Sequence, residues 1–227
     1  MRMKTVAAAL LLSLVCIVPR VSFADTLTLT SVAGPQVDGE NIDPYVMTVT
    51  GPGGSSLVDM SCLNFNRGVS VGQEWNVNVI EVSTVSQSAT IDSESGVDIL
   101  ADAYLYNQYA GAIGNAQLTS DIQFAIWHIM DPTDVNGKSG YDTNAAYLAA
   151  AALNVANGSN LNTSQFANDY LFTPSGTYTS GEPQEFMTNP APPAILTVTP
   201  EPTSLLLLGT GLLGTVGLMR RRVLAQA

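Results

Sequence analysis

Charge is scarce in this 227-residue sequence: Asp, Glu, Lys and Arg make up 12% of it, about half of the roughly 25% usual in a globular domain. Basic residues are scarcer still. Residues 25–200 hold 18 acidic side chains and only two basic ones, Arg67 and Lys138, a formal charge of -16. A surface of that sign repels phosphate backbones, which excludes a nucleic-acid partner, and it gains nothing from an anionic lipid surface. Histidine occurs once, at His128, and cysteine twice, at Cys16 and Cys62. No cluster has the composition of a metal site, no paired carboxylates or triad stand out, and no internal repeat is visible. Neither an enzyme nor a cofactor is expected. The 46% hydrophobic content nonetheless excludes disorder.

What is present begins with two terminal signals. Arg2 and Lys4 precede an apolar run from Val6 to Val18, and Ser22-Phe23-Ala24 ends it with small residues in the two places a signal peptidase reads. Residues 1–24 therefore read as an export signal cut before Asp25, and Cys16 leaves with it. At the other end Pro200-Glu201-Pro202 is followed by an apolar stretch from Thr203 to Met219 and by Arg220-Arg221-Arg222. The stretch is at the short limit for a transmembrane helix, with the arginines held on the cytoplasmic side. This order resembles the PEP-CTERM sorting signal of Gram-negative bacteria. The resemblance implies export, recognition by an exosortase at the inner membrane, removal of the tail, and a surface or extracellular destination associated with exopolysaccharide.

Between the signals, residues 25–188 read as one extracellular domain, followed by a Pro-rich stalk over 189–199 and the sorting tail over 200–227. Alternation in Thr26 to Thr30, Tyr45 to Val49, part of Leu57 to Leu63 and Glu74 to Val82 predicts antiparallel strands. Helical spacing or Ala-rich composition predicts three helices, over Val97 to Ile113, Asp121 to Met130 and Asn144 to Ala156. Strands return at Thr177 to Thr179 and Gln184 to Met187. The expected class is α+β: an antiparallel sheet or sandwich with an inserted group of about three helices.

Two chemical patterns do not survive their contexts. Gly209-Thr210-Gly211-Leu212-Leu213-Gly214 spells a dinucleotide fingerprint inside the apolar tail, where small residues for helix packing explain it. Gly68-Val69-Ser70-Val71-Gly72 spells a nucleophile elbow, but a strand pattern follows it instead of a helix. Asp131 to Thr143 fails the spacing of a calcium loop. His128 lies five residues past Gln123, about 140° round a helix, and so points elsewhere.

Once the export signal is gone, Cys62 is the only thiol of an exported chain and has no disulfide partner within it. It is a buried small hydrophobe, one half of an intermolecular disulfide, or a chemically used thiol. Gln123 stands in an otherwise apolar helix, and Ser120 with Gln123 fits an S-x-x-Q capping box. Cys62-Leu63 and Ile122-Gln123-Phe124-Ala125-Ile126-Trp127 together resemble the Cys and Gln motifs of the bacterial thioester domains of surface adhesins. Ser61 departs from that pattern, standing where the family usually has an aromatic residue or Leu. The resemblance implies an internal thioester between Cys62 and Gln123. Trp127 and Phe65 are the expected shields against water, with Tyr104, Tyr106 or Tyr109 as further walls. The domain would then attach covalently to amine or hydroxyl groups of a surface protein or polysaccharide. The alternative is a non-covalent structural or adhesive component of an exopolysaccharide matrix, in which Cys62 is merely packed.

Overall fold

In the computed structural model, residues 25–112, 114–176 and 183–189 are described. The first third forms β1 (Asp25–Val32), a two-strand ribbon of β2 (Gln36–Val37) and β3 (Glu40–Asn41), then β4 (Tyr45–Gly51), β5 (Gly54–Cys62) and β6 (Glu74–Glu81). A second ribbon, β7 (Thr90–Ile91) and β8 (Glu94–Ser95), leads into four helices: α1 (Gly96–Ala112), α2 (Ala116–Met130), the single turn α3 (Pro132–Val135) and α4 (Thr143–Ala156). The chain returns through β9 (Tyr170–Pro174) and β10 (Phe186–Thr188).

The expected α+β class with helices inserted between strand segments is what forms. The sheet, however, is neither open nor a sandwich: it closes into a barrel in the order β1-β4-β5-β10-β9-β6, with every pairing antiparallel. Closure depends on β9 and β10, which return from beyond the helices to fill the gap between β5 and β6, and it leaves no unpaired edge. The strand expected at Thr177 to Thr179 and the stalk beyond Asn189 lie outside the described residues. Among the described residues no helix is long and apolar enough to cross a membrane. The expected span Thr203 to Met219 lies outside them as well.

Period-two alternation places Leu27, Leu29, Met47 and Val49 inside the barrel, where Leu27 faces Val49 and Leu29 faces Met47. Trp75, Val77, Phe172 and Phe186 complete this inner core. A second core lies among the helices, built from Ile99, Leu100, Leu105, Ile122, Ile126, Ala149 and Ala152. Helix α2 joins the two. Ile122, Ala125, Ile126 and Ile129 face the helical core, while Phe124 and Trp127 close one side of the barrel core. From Ile122 to Trp127 the helix is buried on every side, and Gln123 is the polar residue within that stretch, with no exposed surface.

Two local features set the position of α2. It starts at Ala116 with Asn115 as its N-cap, the Asn115 side chain accepting from the Leu118 N–H at 3.1 Å. The capping box expected at Ser120 and Gln123 is therefore absent: the helix begins a full turn earlier, because Asn115 is already a good cap and Ala116-Gln117-Leu118 are good helix formers. At the other side of Phe124, Gly140 makes room for the ring. A Cβ there would stand 2.1 Å from Phe124 Cε2.

Candidate functional site

The last three residues of β5 lose the strand's alternation: Met60, Ser61 and Cys62 are all buried. One side of the strand packs on the barrel interior and the other lies under the helices, so both faces are covered. There β10 pairs with β5, Phe186 opposite Cys62 and Met187 opposite Ser61, and α2 crosses above.

The crossing brings Cys62 and Gln123 into direct contact. Gln123 Nε2 donates to the Cys62 carbonyl oxygen at 2.8 Å, and the Ser61 hydroxyl donates to Gln123 Oε1 at 3.4 Å. Both amide ends of a fully buried glutamine are thus used by consecutive residues of one strand, which satisfies its polar groups. Cys62 has no exposed surface either, and its thiol donates to the Asn64 carbonyl at 3.2 Å. Burial pushes the thiol well above its usual pKa, and the Trp127 indole N–H, which works in the other direction, does not compensate. Cys62 is consequently a thiol and not a thiolate, and any attack it makes must pass its proton to the leaving group.

The aromatic residues expected as shields are adjacent. Trp127 is buried and packs edge-on against both Phe65 and Phe124, each with ring centroids 5.2 Å away. Phe65 is partly buried, with Lys138 Nζ 4.8 Å from its ring centroid. The tyrosines divide: Tyr106 and Tyr109 line a cavity beside Ser61, whereas Tyr104 packs on the helical core and does not line it. His128 stacks on Tyr141 at 4.2 Å, and burial lowers its pKa, so it is a neutral packed ring. Ser70 lies exposed in a turn before β6 with no helix after it. Among the described residues no group of acidic, Cys or His side chains could hold a metal ion.

Several polar residues of the site were invisible in the sequence. Asp43, buried between β3 and β4, accepts from the Cys62 N–H at 3.1 Å. Burial raises its pKa to about 8, against the opposing pull of the Ser61 hydroxyl and the Cys62 N–H. Asp131, at the end of α2, accepts from the N–H groups of Phe65 and Asn66 at 2.7 and 3.3 Å and so ties the loop after Cys62 to the helix that carries Gln123. Asn64 bridges to the last strand, its Oδ1 accepting from Glu185 N–H at 2.8 Å and its Nδ2 donating to Glu185 Oε2 at 3.3 Å. Each pairing joins residues at least 19 positions apart, beyond the reach of any local pattern.

Comparison with known proteins agrees with the tail. The PEP-CTERM protein-sorting motif matches residues 198–222. The chain thus carries an address that implies export and processing by an exosortase at the membrane. No curated protein matches the chain. Among solved structures, the N-terminal thioester domain of fibronectin-binding protein SfbI from Streptococcus pyogenes aligns with 13% identity and a TM-score of 0.39, over 77% of this chain and 97% of that one.

Proposed function

We propose that this exported, exosortase-sorted chain forms an internal thioester between Cys62 Sγ and Gln123 Cδ, and uses it to attach covalently to a partner at the surface of a Gram-negative cell. The observation that carries this reading is the contact itself: two residues from separate elements, both fully buried, with the Gln123 amide 2.8 Å from the Cys62 carbonyl. An unactivated amide is a poor electrophile, so the reaction needs its partners held together for a long time in fixed orientation. Barrel strand and buried helix supply that. Formation balances without an outside reagent: Sγ bonds to Cδ, the C–N bond breaks, and the thiol proton leaves on nitrogen as ammonia. Trp127, Phe65 and Phe124 keep water off the product.

Intact mass of the purified full chain tests the proposal. The expected value lies one ammonia below the processed sequence, with Cys62 resistant to alkylation until methylamine opens the ring at Gln123. A full-sequence mass with immediate alkylation of Cys62 in folded protein overturns it, and leaves a non-covalent matrix component.

A further inference from the structure

Beside the Cys62 and Gln123 pair lies a cavity of about 560 Å³, bounded by Gly34, Asp43 and Ser61 on the barrel side and by Tyr106, Tyr109 and Thr119 on the helical side. Two polar atoms that border it are buried and have no hydrogen-bond partner, Asp43 Oδ2 and Tyr109 Oη. Leaving such atoms unpaired is costly, and Asp43 is only 1% exposed. Asp43 is held in place through its other oxygen by the Cys62 N–H. The Ser61 hydroxyl stands between the cavity and the reacting carbonyl: it donates to Gln123 Oε1 and is within reach of the Asp43 carboxyl.

Building on the thioester reading, we propose that this cavity admits the acceptor as a primary amine, and that Ser61, backed by Asp43, stabilises the oxyanion formed on Gln123 Oε1 when the amine attacks. An amine is favoured over a neutral hydroxyl by charge. The domain's formal -16 attracts cations, the cavity offers the carboxyls of Asp43 and Asp59 and two phenols, and neither Arg67 nor Lys138 lines it. An entering ammonium sheds one proton to the solvent at the cavity mouth. The freed amine attacks Cδ, and the carbonyl electron pair moves to Oε1, where the Ser61 hydroxyl holds it. Collapse restores the carbonyl and breaks the C–Sγ bond. The departing Cys62 thiolate takes the second nitrogen proton, the third stays on nitrogen, and the products are an amide and a thiol.

Asp43 is a positioning residue in this scheme. Protonated, it can donate to the Ser61 oxygen and leave the single Ser61 hydrogen to Gln123; ionised, it competes for that hydrogen. Asp59 of β5 also lines the cavity. The titratable groups packed around Asp43 are Cys62 from β5, Tyr45 from β4 and Tyr106 and Tyr109 from α1, all pushed upward by burial, Tyr106 to about 12. Asp43 is the group among them that titrates near neutral pH.

The experiment follows thioester opening in the full chain by intact mass, with hydroxylamine as probe because it stays uncharged across the range. The wild-type rate is expected to fall as pH rises through about 8, and Asp43→Asn should abolish that fall. Ser61→Ala should slow opening by about 100-fold, the loss typical of an oxyanion-hole donor, and Ser61→Thr should restore most of it. An ammonia-deficient wild type with a flat pH profile, or one whose rate Ser61→Ala leaves unchanged, overturns this inference alone. A wild type that never loses ammonia overturns it together with the thioester. Should Asp43→Asn fail to fold, the wild-type profile and the Ser61 pair decide the question.

Discussion

A double-mutant cycle between Cys62 and Gln123 separates a covalent link from mere packing, because the noncovalent contact has an unusual form. Gln123 Nε2 bonds to the backbone carbonyl of Cys62 and not to its side chain. In a chain without the thioester, Cys62→Ala keeps that carbonyl in place, so the two side chains hardly know of each other. Cys62→Ala then costs the burial of one sulfur, Gln123→Ala costs its own hydrogen bonds to Ser61 and Cys62, and the effects add to within about 0.5 kcal/mol. With the thioester, either substitution alone opens a ring joining residues 61 positions apart. By loop entropy such a ring is worth about 4 kcal/mol, as for a disulfide of that span. That loss is suffered once, whichever residue is replaced, so the double variant falls short of the sum by about 4 kcal/mol. Denaturant unfolding of the four full-length proteins measures all four corners. Additive losses would refute the link, however destabilising each variant proved to be.

Processing gives a second expectation: terminal sequencing of the extracellular form should find a start near Asp25 and loss of the segment after Pro200-Glu201-Pro202. A surface form that retains Arg220 to Arg222 would make the tail an anchor instead of a sorting tag. Stability should also depend on pH in an uncommon direction. Burial raises the pKa of Asp43 to about 8 and of Glu185 to about 7, and raises that of Asp102 as well. Because the folded form holds these protons more tightly than the unfolded chain, their stabilising contribution is complete below the ordinary carboxylate range and is lost as pH climbs through about 7 to 8. The thermal midpoint should therefore be higher near pH 5 than near pH 8, with Asp43→Asn and Glu185→Gln flattening the slope; a midpoint that rises over that interval would contradict it.

How much of this was legible in the sequence depended on the range of the interaction. Thr26 to Thr30 and Glu74 to Val82 announce their strands because alternation is a local signal, and α1 and α4 lie within a residue or two of their expected bounds. Barrel closure was not legible, because it rests on the three residues of β10 finding β5 across more than a hundred positions. The start of α2 was misplaced for a different reason: Ser120 and Gln123 make a plausible cap, yet both are buried in mid-helix. The unusual glutamine in an apolar helix did identify Gln123 as a residue in need of a partner. The motif resemblance named Cys62 as that partner, whereas the contact of Ser61 with the same amide, and the carboxyl of Asp43 behind them, are set by the crossing of β5 and α2, which no spacing encodes.

The pairing of β10 with β5 also sets a clock. Cys62 lies opposite Phe186, and the Leu63 N–H donates to the Glu185 carbonyl at 3.0 Å, so the wall around the thiol is finished by some of the last residues of the domain to be exported. Until Gln184 to Thr188 arrive, β5 has β4 on one side but lacks β10 on the other, Asn64 lacks Glu185, and the pair is not yet sealed from water. Non-local pairings of this kind form late. Under the thioester proposal the bond chemistry would then be deferred by topology: the thiol and the glutamine would pass the membrane as ordinary residues, and a reactive group would be created only in a chain that has already completed its fold on the far side.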